Sequence, residues 1–126
     1  MPKKVVYIED EPEMVDLVQM MLQGPDVETY PALSGESGLD TLQQIHPDLI
    51  LLDLFMPDIS GWDIYRRIRA NEQLRDTPVI VLSACHEKIA SALGEDVPSG
   101  AFDYICKPFS PAELRHSVDR ALGLHQ

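Results

Sequence analysis

The stretch DLILLDLFMP, residues 48–57, decides the fold. Leu49-Ile50-Leu51-Leu52 is an unbroken apolar run with no polar residue in alternation, as a strand covered on both faces of a parallel sheet requires. Working outward, similar short runs lie near Lys4–Ile8, Val27–Tyr30, Pro78–Leu82 and Phe102–Ile105, so five strands are expected with the one at Asp48–Leu52. Segments of helical period separate them. Pro12–Leu22 carries Met14, Val15, Val18 and Leu22 on one stripe, with Pro12 in the first turn and Gly24 as a stop. Gly35–Ile45 has Leu39, Leu42 and Ile45, and Trp62–Ala70 has Ile64, Tyr65 and Ile68. A weaker helix is expected over Glu87–Leu93. The last opens at Ser110-Pro111-Ala112-Glu113, an N-cap with a capping-box acid, and ends near Gly123. The class is therefore α/β: a (βα)5, flavodoxin-like, doubly wound parallel five-stranded sheet of order 2-1-3-4-5.

A chain of 126 residues fits one domain, 1–126, with no output domain expected. No apolar run approaches bilayer length, and Met1-Pro2-Lys3-Lys4 leads into an apolar stretch too short for a signal peptide, so a cytoplasmic location is expected. Cys85 and Cys106 lack metal-ligand spacing and are read as reduced packing residues, with a disulfide as the lesser alternative. A formal charge of -11 opposes binding to phosphate backbones, so neither direct nucleic acid binding nor membrane association is expected.

In a doubly wound sheet, ligands bind beyond the carboxyl ends of the strands. Those ends carry Glu9, Asp10 and Glu11 after the first strand, Asp53 after the third, Ser83 after the fourth, and Lys107-Pro108 after the fifth. Crowded carboxylates repel, and a hard cation taking oxygen ligands relieves the repulsion. Mg²⁺ suits Asp10 and Asp53 best, since it commonly bridges one or two carboxylates and phosphate oxygens. The plainer alternative is that Glu9-Asp10-Glu11 solvates a turn and caps the first helix. Asp53 resists any such alternative, because it sits between Leu49-Ile50-Leu51-Leu52 and Leu54-Phe55-Met56-Pro57, where an unpaired charge costs several kcal/mol. Beside a cation it stays ionised and nucleophilic. Lys107 offers a compact positive charge and Ser83 a hydroxyl, each an ordinary surface or strand-end residue if taken alone.

Four fragments in this order, VVYIEDEPEM, LLDLFMPDISGWD, VIVLSA and YICKPF, give the chain its likeness: over essentially its whole length it resembles the receiver domain of two-component response regulators, the CheY-like superfamily. The resemblance implies that Asp53 is the phosphoacceptor of a phosphorelay. It implies a Mg²⁺ cofactor, with Asp10, Asp53 and the backbone carbonyl of Phe55 as ligands and Glu9 acting through water. Ser83 is then the switch hydroxyl and phosphate contact, Tyr104 the switch aromatic, Lys107 the phosphate partner, and Pro108 a cis-proline. The chain would act as a phosphoacceptor switch rather than an enzyme. Its donor would be a histidine kinase or phosphotransfer protein, and its output a downstream protein. It would be a monomer, or a dimer formed on phosphorylation. The new anion would draw Ser83 toward it, turn Tyr104 inward and reshape the face made by the fourth helix, fifth strand and last helix. His46, His86, His116 and His125 lie outside these motifs and are read as surface residues.

Two departures stand out. The segment between Ser83 and Lys107 is about two residues longer than the family's, with Pro98 expected to end the fourth helix early or force a loop across 94–100. Phe55 and Cys85 orient water poorly, so a long-lived phosphoaspartate is expected. Among other functions, a phosphohydrolase would need a second acid where Phe55 stands. A flavin-binding relative would need a phosphate loop where three acids occur, and an interaction module that works without phosphorylation would leave the acid, hydroxyl and lysine set unused.

Overall fold

The computed structural model describes residues 2–84 and 100–124. Within them the chain forms β1 (Lys3–Ile8), α1 (Pro12–Leu22), β2 (Val27–Ala32), α2 (Gly35–Ile45), β3 (Leu49–Asp53), α3 (Gly61–Ala70), β4 (Val79–Ala84), β5 (Asp103–Lys107) and α4 (Pro111–Leu122). The strands build one sheet in the order β2-β1-β3-β4-β5, all neighbours parallel. The flavodoxin-like arrangement is thus observed, with four helices among the described residues. The helix expected over Glu87–Leu93, the end imposed by Pro98, and Cys85, His86 and His125 lie outside them.

Side chains alternate across a strand, and the two cores follow that rule residue by residue. Val5 and Tyr7 of β1, Leu49 and Leu51 of β3, and Ile80 and Leu82 of β4 pack with α1 and α4. Their neighbours Val6 and Ile8, Ile50 and Leu52, and Val79 and Val81 pack with α2 and α3. With both faces covered, β3 is buried along its whole length, as its unbroken apolar run requires.

The expected strands stop short of the observed ones. β3, β4 and β5 run on through Asp53, Ser83 and Lys107, because hydrophobic patterning ends at the first polar side chain while backbone pairing continues. β2 runs through Pro31, which has no N–H to donate. This is tolerated because β2 is an edge strand. The bonds Lys3 N–H to Asp26 O (2.8 Å) and Glu9 N–H to Ala32 O (3.0 Å) turn the even-numbered residues of β2 toward β1, leaving the nitrogen of Pro31 on the outer side.

α4 has the expected start and stop: Ser110 and Glu113 form a reciprocal capping box, Pro111 opens the first turn, and Gly123 ends the helix at φ 71°. α1 also stops before Gly24, at Leu22, but with Gln23 as C-cap at φ -59° and no left-handed turn at Gly24. Cys106 is a second correction. It is exposed rather than packed, and it is disulfide-bonded.

Candidate functional site

Glu9 directly follows β1, and its backbone N–H continues the β1–β2 ladder. Its side chain therefore falls two positions beyond Tyr7 on the same face, as Lys107 falls two beyond Ile105 and Asp53 two beyond Leu51. That parity brings one amine and two acids together from three strands. Lys107 Nζ donates to Glu9 Oε1 at 2.5 Å and to Asp53 Oδ2 at 3.4 Å. Glu9 is fully buried and Asp53 is 4% exposed, so neither can rely on water for compensation.

Asp10 completes the group, since one carboxylate oxygen from each of Glu9, Asp10 and Asp53 lies within 4.8 Å of the others. Burial, reinforced by a hydrogen bond with Glu9, holds the Asp10 carboxyl above its usual range despite the nearby Lys107. Burial alone would lower the pKa of Lys107, but its hydrogen bond to Glu9 and the charge of Asp53 outweigh that and leave it above the usual lysine value. Three oxygen donors with an excess of negative charge fit a hard divalent cation with carboxylate ligands. Simple helix capping explains the acids less well: Glu11 is the N-cap of α1, yet its side chain makes no capping bond.

The loop after β3 is held on both sides. Phe55 N–H donates to Asp53 Oδ1 at 3.0 Å, while Gly61 N–H donates to Leu54 O at 3.0 Å. A Cβ on Gly61 would lie 2.4 Å from Leu54 Cα, so only glycine lets α3 seat this closely beneath the loop. Further along, Asp58 accepts from Gly35 N and Glu36 N, both at 3.1 Å, capping α2 from outside that helix. These backbone bonds hold the Asp58 carboxyl below its usual range. The ring of Phe55 is 43% exposed and meets Trp62 edge-on at 5.5 Å.

Ser83 occupies the opposite parity, two residues past Val81 on the face of α2 and α3. Its hydroxyl is fully buried and has no hydrogen-bond partner among the described residues. Tyr104, paired with Val81 across the β4–β5 ladder, is half-buried against the same core. The Lys107–Pro108 peptide is cis. His46 and His116 are exposed.

The structure therefore gathers Glu9, Asp10, Asp53 and Lys107 directly, and sets Ser83 and Tyr104 on the neighbouring face. One participant was not singled out from the sequence. Tyr7, 1% exposed, donates its hydroxyl to Glu9 Oε1 at 3.1 Å. The signal was present, a phenol within the apolar run Val5–Ile8 and two residues before an acid.

Comparison with known proteins points to one family. The sequence model described as response regulator receiver domain matches residues 5–119. The DNA-binding response regulator MtrA of Mycolicibacterium smegmatis is 32% identical over 114 residues, which are 90% of this chain and 48% of MtrA, so the chain spans about half the length of that relative. Among solved structures, the chemotaxis response regulator CheY4 of Vibrio cholerae superimposes with a TM-score of 0.84 at 27% identity, covering 97% of this chain and 100% of the other. The signal receiver domain of a signal transduction histidine kinase from Syntrophus aciditrophicus gives a TM-score of 0.83 at 28% identity, covering 96% and 90%.

Proposed function

The chain belongs to the response regulator receiver domain family, and on that premise we propose that Asp53 accepts a phosphoryl group from the phosphohistidine of a histidine kinase or phosphotransfer protein. A carboxylate oxygen of Asp53 forms the new P–O bond as the donor's P–N bond breaks, and the departing imidazole keeps that electron pair. The observation that carries this is the convergence of three carboxylates within 4.8 Å with the Lys107 ammonium bridging two of them. When bound, Mg²⁺ would be held by Asp10, Asp53 and the carbonyl of Phe55, with Glu9 through water, and would neutralise the charge of the acids and the incoming phosphoryl group.

The protein's own groups do the rest. The N–H of Phe55 fixes one oxygen of Asp53, leaving the other on the longer contact to Lys107. Lys107 then turns to a phosphoryl oxygen. The hydroxyl of Ser83, without a partner among the described residues, turns to another, and Tyr104 moves inward behind it. This alters the face formed by β5, α4 and the helix expected over Glu87–Leu93, where a downstream protein binds. The equilibrium shifts because the phosphoryl contacts of Ser83 and Lys107 form mainly in the switched state. The chain works as a switch in the cytoplasm, in keeping with the lack of any described helix long and apolar enough to cross a membrane.

The experiment is incubation with acetyl phosphate, with and without Mg²⁺, followed by mass and by Trp62 fluorescence. A Mg²⁺-dependent phosphoryl adduct that disappears in Asp53→Asn is the expected result; equal labelling of that variant would overturn the assignment. The exposed ring of Phe55 beside Asp53 supports a slow hydrolysis of the adduct. A decay no slower in the wild type than in Phe55→Asn counts against that.

A further inference from the structure

We propose that Tyr7 is a positioning residue of the acidic site: its hydroxyl fixes the Glu9 carboxylate so that one oxygen serves Lys107 and the other is left to hold a water of a divalent cation. The inference deepens the preceding reading and rests on it. Tyr7 is enclosed by aliphatic side chains between the sheet, α1 and α4, where a phenol must find a partner for its hydroxyl. The parity of β1 supplies Glu9.

Because Glu9 is fully buried, its carboxylate draws its bonds from the protein alone. Oε1 accepts from Tyr7 at 3.1 Å and from Lys107 at 2.5 Å, whereas Oε2 accepts a longer bond, 3.4 Å, from Glu11 N–H, and the neighbouring Asp10 carboxyl also bonds to Glu9. The anchors from Tyr7 and Lys107 thus both fall on one oxygen. A glutamate has one more rotatable bond than an aspartate, so its orientation needs these anchors. Lys107 cannot provide the hold by itself, since it is shared with Asp53 and is the group that turns toward the phosphoryl oxygen. When it does, Tyr7 remains on Oε1 and the buried carboxylate is not stranded.

The test uses the unphosphorylated chain and Mn²⁺ alone, with affinity read by electron paramagnetic resonance in wild type, Tyr7→Phe, Glu9→Asp and the double variant. Losing a hydrogen bond to a charged group corresponds to about a tenfold weaker affinity for Tyr7→Phe. In the Glu9→Asp background, where the shorter side chain needs no such anchor, the same change is expected to weaken affinity by less than about twofold. A tenfold loss in both backgrounds would mean that Tyr7 merely supports packing, and an affinity unchanged by Tyr7→Phe in wild type would equally overturn the proposal. Should Tyr7→Phe fail to fold, the double variant decides: folding with Mn²⁺ affinity near that of Glu9→Asp supports the coupling, and failure there overturns it. If the wild type binds no Mn²⁺, the cation reading of the preceding subsection falls and this inference with it. Binding by wild type without the background-dependent loss removes this inference alone.

Discussion

The two faces of the sheet meet the site in opposite conditions. On the α1 and α4 side, Glu9 and Asp53 have their partners in place: Tyr7, Lys107 and backbone N–H groups hold both buried acids. On the α2 and α3 side, the buried Ser83 hydroxyl and Trp62 Nε1 have no hydrogen-bond partner among the described residues, and Tyr104 is half-buried. One side already has protein partners on its buried acids, and the other holds two polar groups without a partner among the described residues. The lesson is that the acids are partly compensated in the resting fold, by one ammonium among three carboxylates, while the hydroxyl and indole of the other face have no partner among the described residues.

The comparison breaks first at Lys107. Lys107→Ala removes the cation from a fully buried Glu9 and should cost about 3 kcal/mol, read as a shift in urea unfolding at pH 7. A loss below about 1 kcal/mol would mean the α1 and α4 side is not held by this pair.

The same pair sets a pH window. Because the Lys107 pKa is raised above 10.5 in the folded chain, its contribution is complete below that value and fades as pH rises through the higher folded pKa. Wild type should therefore lose stability in strongly alkaline solution faster than a Lys107→Ala control, measured by thermal unfolding; parallel curves would show the coupling absent.

A smaller effect is expected from Asp58, which ties the loop after Asp53 to the start of α2. Asp58→Ala should lower the melting temperature slightly at neutral pH. Its native pKa lies below the usual 3.8, so the difference from wild type should vanish as pH falls through that lower value. A difference that persists in acid would point to lost packing instead.

The smallest stability effect should belong to Ser83→Ala, which removes a hydroxyl with no described partner and so should change stability by less than about 0.5 kcal/mol. Its consequence is functional: the variant should still take a phosphoryl group on Asp53 yet lose the tyrosine and tryptophan spectral response. Loss of stability like that of Lys107→Ala would abolish the distinction between the two faces.

Much of this was legible in the sequence, for physical reasons. The limits of α1 and α2 follow from amphipathic stripes, and the start of α4 follows from Ser110, Pro111 and Glu113. Asp10, Asp53, Ser83 and Lys107 could be located because charge and hydroxyls at the ends of apolar runs need an explanation. Other features required coordinates. Strand ends at Asp53, Ser83 and Lys107 depend on backbone pairing, which hydropathy does not report. The link from Asp58 to α2 spans 23 positions, and the cap has no local pattern. Tyr7 looked like one more core side chain until its hydroxyl was seen on Glu9. That α1 stops before Gly24 without a left-handed glycine also needed coordinates, because a suitable residue is not compelled to adopt that conformation.

Pro31 has a consequence for how the molecule behaves in a crowded solution. The outer margin of β2 is a row of backbone donors and acceptors onto which a foreign strand could zip, seeding aggregates. A ring in place of one donor leaves that row with a missing tooth, so the same residue that shortened the expected strand also discourages self-association along it.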